Sequence, residues 1–354
     1  PNMPIAGLYR HVEVTNLGSL RKLEILDGLA EVIPAGLSTD AFKGLSNLMV
    51  SWMDVVGHDQ GYAFYKLRGS TGDSAEMNEH SDGNFYFAYD HEGLIPPITD
   101  PSLVFGHDTS KREALGLKQG LQVLKEADQV NVNQVPSAFI PLDVTLNENE
   151  TYEWVALSGH VAEKSLLEKA LPELSQFKTF QKHQNEAKAV IDAMVSDVES
   201  ETAYPLFDAY VKQNYLDNLL RGGYPITFND HVYHLYARRH GDLERDYNFF
   251  SLAPEYYSTG SGNFRDVCQN RRLEPLFNPA VKDFNLQEFA SLIGLDGTNP
   301  LAVNGVIYRL KDLDILTSCG LEPTDFKKFF ENPFTPGSFI NEVERQGFHL
   351  NGDE

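Results

Sequence analysis

Between Tyr224 and Asn304 the chain concentrates the side chains best able to do chemistry. Asp230, His231, His234, Arg238, Arg239, His240, Asp242, Glu244, Arg245 and Asp246 fall close together in it. Aromatics follow at Tyr247, Phe249, Phe250, Tyr256, Tyr257 and Phe264, around Gly260-Ser261-Gly262. Then comes Asn263-Phe264-Arg265-Asp266-Val267-Cys268-Gln269-Asn270-Arg271-Arg272. Flat rings beside carboxylates, amides and guanidinium groups are what a sugar site needs. The ring stacks on the apolar face of the sugar, and its hydroxyls take polar partners that both donate and accept. Taken singly, each residue has a plainer role, since aromatics pack helices and charges solvate faces. The density of fork-like polar groups is what favours a site.

Other chemistries fit less well. Gly260-Ser261-Gly262 lacks the Lys-Ser/Thr ending of a phosphate loop and the flanking strand of a dinucleotide site, so a flexible or tightly turned loop is the better reading. His231 and His234 are three apart, a metal spacing on a helix, but only His240 or Asp242 offers itself as a third ligand. Gly57-His58-Asp59 and Gly106-His107-Asp108 occur without a Gly-x-Ser-x-Gly elbow, which leaves a hydrolase triad unsupported. Cys268 has no adjacent histidine to lower its pKa and reads as a packing residue.

The elements that must position these groups change character along the chain. Residues 1–161 read as strands, with period-two patterns at 11–16, 20–27, 62–67, 85–89, 139–146 and 152–158. Gly, Pro, Asn and Asp clusters separate them, which predicts an antiparallel β-sandwich with Trp52 and Trp154 filling its core. Residues 162–200 carry Leu166, Leu167, Ala170, Leu174, Phe177 and Phe180 at helical spacing and read as a helical linker, its second helix from Lys182 to Val198. Residues 201–354 read as helical, with an amphipathic segment from Phe207 to Leu220 ended by Gly222-Gly223-Tyr224-Pro225. Further helices are predicted at 285–293 and 324–330. The expected fold is multidomain, β then α.

Charge and cysteine content narrow the function classes. The 354 residues include 51 acidic and 29 basic side chains, a net charge of −22. Such a surface repels phosphate backbones and anionic lipid, so nucleic-acid and membrane partners are not expected. Only Cys268 and Cys319 are present, too few for a disulfide framework, which suits a cytoplasmic protein.

Phe264-Arg265-Asp266-x-x-Gln269 resembles the aromatic-Arg-Asp-x-x-Gln motif of the cellobiose-phosphorylase family of inverting glycoside phosphorylases. Leu292-Ile293-x-Leu295-Asp296-Gly297 resembles the apolar-Asp-Gly stretch that follows it there. Tyr9-Arg10-His11-Val12-Glu13-Val14-Thr15-Asn16 is similar to a strand of that family's sandwich. Asn214-Tyr215-Leu216 through Gly222-Gly223-Tyr224-Pro225 looks like its first barrel helix. Within the group, Gly262-Asn263-Phe264-Arg265-Asp266-Val267 is closest in wording to the β-1,3-glucan oligosaccharide phosphorylases. Cys268 and Asn270 depart from the family, which usually has Asn and Asp at those positions.

This resemblance implies an N-terminal β-sandwich, a helical linker and the start of an (α/α)6 barrel. It implies that Phe264, Arg265, Asp266, Gln269 and Asp296 bind the sugar, and the Arg265 charge beside Asp266 suits the latter as a ligand for hydroxyls rather than as the acid. It also implies reversible phosphorolysis of a β-linked gluco-oligosaccharide to a sugar 1-phosphate. Inorganic phosphate would be the co-substrate, with no metal or organic cofactor. The family's general acid and phosphate ligands lie further along the barrel, and nothing before Glu354 matches them. The expectation is therefore that this chain works with the remainder of the same enzyme, with a homodimer left open. An inverting hydrolase of the same architecture and a non-catalytic carbohydrate-binding protein are the alternatives.

Overall fold

The computed structural model describes residues 5–37, 39–69, 80–241, 250, 252 and 255–348. The chain divides into two compact units, Pro1–Lys188 and Ala189–Glu354. The architecture mixes antiparallel sheets with helices, and among the described residues no closed barrel forms.

The first unit contains, in chain order, β1 (Ala6–Thr15), β2 (Arg21–Leu29), α1 (Thr39–Gly44), α2 (Ser46–Ser51), β3 (Met53–Val56), β4 (Tyr62–Leu67), β5 (Gly83–Tyr89) and β6 (Leu94–Ile95). It continues with α3 (Pro101–Phe105), α4 (Leu121–Glu126), β7 (Ala138–Leu146), β8 (Thr151–Val161), α5 (Lys164–Leu174) and α6 (Phe177–Val195), within which the boundary between units falls. One sheet runs β1-β8-β5-β4-β3 with β6 beside β5, and β2 pairs with β7 apart from it. The consecutive strands β1 and β2 thus enter different sheets. Asn16 fixes that crossing: its amide donates to the carbonyls of Ser19 and Leu146, while its Oδ1 accepts from Gly18 N.

Period-two alternation explains the layers, because successive side chains leave opposite faces of a strand. Phe64, Phe85, Phe87, Tyr89, Val155 and Leu157 bury against Leu167, Leu171, Leu174 and Phe180 of α5 and α6. The opposite face sends Tyr65, Tyr86, Ala88, Trp154 and Ala156 against Ile140, Leu142, Val144 and Leu146 of β7. Trp154 lies in that core and donates its indole N–H to Asp27 Oδ2 at 2.9 Å. Trp52 does not share the core. It caps the end of α2 half-buried, with its ring over Gly69, because that short helix precedes β3 at the sheet edge.

The second unit continues with α7 (Pro205–Leu220), β9 (Arg221–Phe228), β10 (His231–Tyr236), β11 (Gly262–Asn263), α8 (Phe264–Arg271), α9 (Glu274–Phe277) and α10 (Phe284–Ser291). It closes with β12 (Ala302–Val303), α11 (Ile315–Ser318), α12 (Pro323–Phe326) and α13 (Pro336–Arg345). The helical reading fails after Leu220, where β9 and β10 form a hairpin. Two residues, Asn229 and Asp230, connect the strands, and Asn229 takes φ +53°. An asparagine tolerates that left-handed conformation, and the twist of such turns matches a two-stranded ribbon. Gly222, at φ +110°, lets Tyr236 lie where a Cβ would be only 2.1 Å from its ring. The helices expected at 285–293 and 324–330 appear as α10, and as α12 followed by a 3-10 turn at Phe329–Glu331. Thr335 and Ser338 cap α13 reciprocally: Ser338 N donates to Thr335 Oγ1 at 3.1 Å and Thr335 N to Ser338 Oγ at 2.9 Å. Among the described residues no helix is long and apolar enough to cross a membrane.

Candidate functional site

The motif residues sit on α8, a helix fastened at both ends. At its start, Asn263 Oδ1 accepts from Arg265 N at 3.1 Å, the usual service of an N-cap amide. The Phe264 ring meets Phe289 of α10 edge-on at 5.4 Å, so Phe264 packs helix on helix. At the far end Arg271, only 4% exposed, fastens α8 to the hairpin. Its Nε donates to Gly222 O at 3.1 Å, one Nη to Tyr236 OH at 2.9 Å and the other to Glu288 Oε2 at 2.9 Å. The adjacent network holds Glu274 Oε2, which bonds His234 Nε2 at 2.9 Å and accepts from Asn285 Nδ2 at 2.5 Å.

With both ends fixed, α8 turns Arg265, Asp266, Gln269 and Asn270 into one cavity of about 310 Å³, completed by Arg221 and His240. Asp266 occupies the first helical turn, where the positive end of the helix favours a carboxylate. Arg265 Nε donates to Asp266 Oδ1 at 2.9 Å, yet the Arg265 side chain is 72% exposed. The pair therefore offers a carboxylate and spare guanidinium donors side by side. Arg221 is braced by Asp217 at 3.1 Å and donates to Asn218 Oδ1 at 2.9 Å.

His240 is the residue that the sequence alone could not single out. It is 6% exposed, and among the described residues neither ring nitrogen has a hydrogen-bond partner. Asn270 approaches the ring, but no bond of ordinary geometry forms, and the Asn270 amide nitrogen is itself buried and unpartnered. Burial lowers the His240 pKa, the Arg221 charge adds to that, and Asp266 opposes it. A neutral imidazole carries one donor and one acceptor, the complement of a hydroxyl group. Buried polar atoms left unpaired are uncommon and costly, and these nitrogens are themselves enclosed, with almost no surface of their own.

Gln269 and Asn270 also line a second cavity of about 340 Å³, together with Tyr215, Tyr224, Phe277 and Asp197. Tyr215 lies against Phe277 at 5.1 Å, and burial, then Asp197, pushes its hydroxyl pKa up to about 12. Flat rings and amides thus stand beside the polar cavity within the same unit.

Arg265, Asp266 and Gln269 are brought together. Phe264 and Asp296 do not line the cavity. Asp296 stays in an exposed turn, where its Oδ1 accepts from Thr298 Oγ1 at 2.7 Å and Thr298 N at 3.1 Å. Those bonds, the hydroxyl's first, hold its carboxyl below the usual range. His231 and His234 lie on β10, not on a helix, and an odd spacing along a strand sends them to opposite faces. His231 reaches Tyr308, whereas His234 is buried on Glu274. The Gly260-Ser261-Gly262 stretch serves close packing: a Cβ on Gly262 would stand 2.5 Å from Val267 and 2.9 Å from the His240 Cβ. Cys268 is a free, half-buried thiol. Asp242, Glu244, Arg245, Asp246, Tyr247 and Phe249 lie outside the described residues.

Comparison with known proteins adds no family: no family model matches the chain, and no curated protein matches it significantly.

Proposed function

We propose that the cavity under α8 binds one glucosyl unit of a β-linked gluco-oligosaccharide, and that the chain is part of an inverting glycoside phosphorylase. The observation that carries the reading is the convergence of Arg265, Asp266 and Gln269 with Arg221, His240 and Asn270 around one cavity. Sugar hydroxyls both donate and accept. Asp266 accepts hydrogen bonds from them, and the free Arg265 donors and the Gln269 amide bond their oxygens. The second cavity, with Tyr215, Tyr224 and Phe277, offers apolar faces to an adjoining sugar ring.

In such an enzyme one carboxylic acid protonates the leaving oxygen while phosphate attacks the opposite face of the anomeric carbon. The phosphate replaces the water of an inverting hydrolase, so no catalytic base is required. Asp266, paired to Arg265, orients hydroxyls and leaves the acid to another carboxyl. In this reading the sheets of the first unit are a β-sandwich, and the helices from Pro205 onward open an (α/α)6 barrel. The exposed apolar side chains of α7, Leu206, Phe207 and Tyr210, are then covered by the remainder of the enzyme.

The test is to titrate the chain with laminaribiose and longer β-linked gluco-oligosaccharides by calorimetry, and to assay the full-length gene product for glucose 1-phosphate. Saturable binding that Asp266→Asn weakens, with product formed only when phosphate is present, supports the proposal. Sugar release without phosphate makes the protein a hydrolase. Binding with no turnover leaves a carbohydrate-binding protein, and no binding to any oligosaccharide rejects the sugar site.

A further inference from the structure

A second cluster of chemically capable side chains lies in the first unit, away from α8 and in no motif. β1 and β8 are antiparallel neighbours, and their register sets Glu13 directly opposite Glu153. His11, two residues before Glu13, shares its face of the strand. One ligand atom from each of His11, Glu13 and Glu153 lies within 4.8 Å of the others. His91, in the turn after β5, reaches the same carboxylate from the other side. His11 Nε2 stands 2.7 Å from Glu153 Oε2, and His91 Nε2 stands 2.9 Å from Glu153 Oε1.

Both imidazoles are backed by one helix. The His91 ring stacks on Phe177 at 4.2 Å and the His11 ring lies on Phe180 at 5.0 Å. Phe177 and Phe180 are three apart on α6, hence one above the other on its surface. The side chains of His11 and Glu153 keep 25% and 29% of their exposure, so the cluster is open to solvent while its rings are held. Like charges directly opposite on paired strands repel. Among the described residues no lysine or arginine lies within ion-pair distance of Glu13 or Glu153, so only histidines offset the two carboxylates.

We propose that His11, Glu13 and Glu153 form a binding site for a divalent transition-metal ion of the zinc type, with His91 holding the outer oxygen of Glu153 as a positioning residue. Two carboxylates and one imidazole, with solvent in the fourth position, are a donor set that zinc accepts, and the dication supplies the charge that the paired glutamates lack. Tetrahedral zinc at ~2.0–2.2 Å from each ligand needs donor atoms roughly 3–4 Å apart, and those of His11, Glu13 and Glu153 already lie within 4.8 Å of one another. No change in backbone register is required.

The test uses the full chain and metal alone. Zn²⁺ is titrated by calorimetry, and Co²⁺ is used as a spectroscopic stand-in whose visible absorption reports coordination by nitrogen and oxygen. The expected result is one equivalent bound. His11→Gln, Glu153→Gln and the exposed, fold-safe Glu13→Gln should each weaken it by at least about tenfold, the lower end of what even outer-shell changes cost at metal sites. His107→Gln, at an exposed histidine elsewhere, should leave it unchanged. Affinity should also fall with pH as protons compete for the imidazoles. Absence of a saturable site, or binding that survives both Glu13→Gln and Glu153→Gln in folded protein, overturns the proposal.

Discussion

Arg265 and Arg271 stand less than two turns apart on α8 and do opposite work, which Arg271→Met and Arg265→Ala separate. Arg271 makes three hydrogen bonds, to Gly222 O, Tyr236 OH and Glu288, and lies about equally far from the Tyr236 and Phe289 rings, at 6.0 and 5.9 Å. Methionine keeps the apolar stem but none of the donors. Two neutral-acceptor bonds at ~1 kcal/mol each and one charged bond at ~1.5–3 kcal/mol sum to about 3.5–5 kcal/mol. Breaking a buried ion pair by removing one partner costs a similar amount, ~3–5 kcal/mol. For a unit of this size, at ~2–4 °C per kcal/mol, Tm should fall by about 6–20 °C. Arg265 is different: it is largely exposed, and its bond to Asp266 is a surface pair worth about 0–1 kcal/mol. Arg265→Ala should leave Tm within about 2 °C and weaken oligosaccharide binding. Circular-dichroism melting and calorimetric titration of both variants check this. If Arg271→Met melts within about 2 °C of the parent, the fastening role is wrong. If Arg265→Ala binds sugar unchanged, the ligand role is wrong.

Three other outcomes follow from the same physics. His240 and His234 have pKa values lowered chiefly by burial, so the unfolded chain binds protons more readily than the folded one. Stability should then be complete above about pH 6.5 and decline as pH falls below it, because the folded state must take up these protons at a cost. Urea titrations from pH 8 to 5 test this, and His240→Gln should flatten the slope. Gly262→Ala would force a Cβ to 2.5 Å from Val267 and 2.9 Å from the His240 Cβ. It should cost about 1–3 kcal/mol as overpacking and weaken oligosaccharide binding by displacing His240, both read in one melting and titration experiment. Trp154→Phe removes the bond to Asp27 and leaves a void in the core, for about 2–4 kcal/mol in chemical denaturation.

The strands of the first unit were readable because their alternation records burial on one or both faces. β4 spans Tyr62–Leu67 as its pattern does. The pairing was not readable, since β1 and β2 are adjacent in sequence yet lie in different sheets. Composition could not separate a helix from the β9–β10 hairpin, because its aromatic and β-branched residues also suit an apolar helical face. The Asn229-Asp230 turn was the signal available. Of the site, Arg265, Asp266 and Gln269 were picked out through the motif they resemble, and α8 brings them to one cavity. Phe264 and Asp296 belonged to the same motif reading and yet lie outside the cavity. Arg271 looked as able to hold a ligand as Arg265, and only burial tells them apart.

The chain's own chemistry determined the strands of the first unit, through the period of its apolar residues, and it set Arg265, Asp266 and Gln269 within one short motif. Tertiary structure alone decided what each polar group does. Burial brings His240 and Asn270 to the α8 cavity, and His11, Glu13, Glu153 and His91 meet through strand register and the rings of α6. The reason is distance: local spacing reaches one turn or one strand, whereas desolvation and long-range pairing depend on which surfaces the rest of the chain covers.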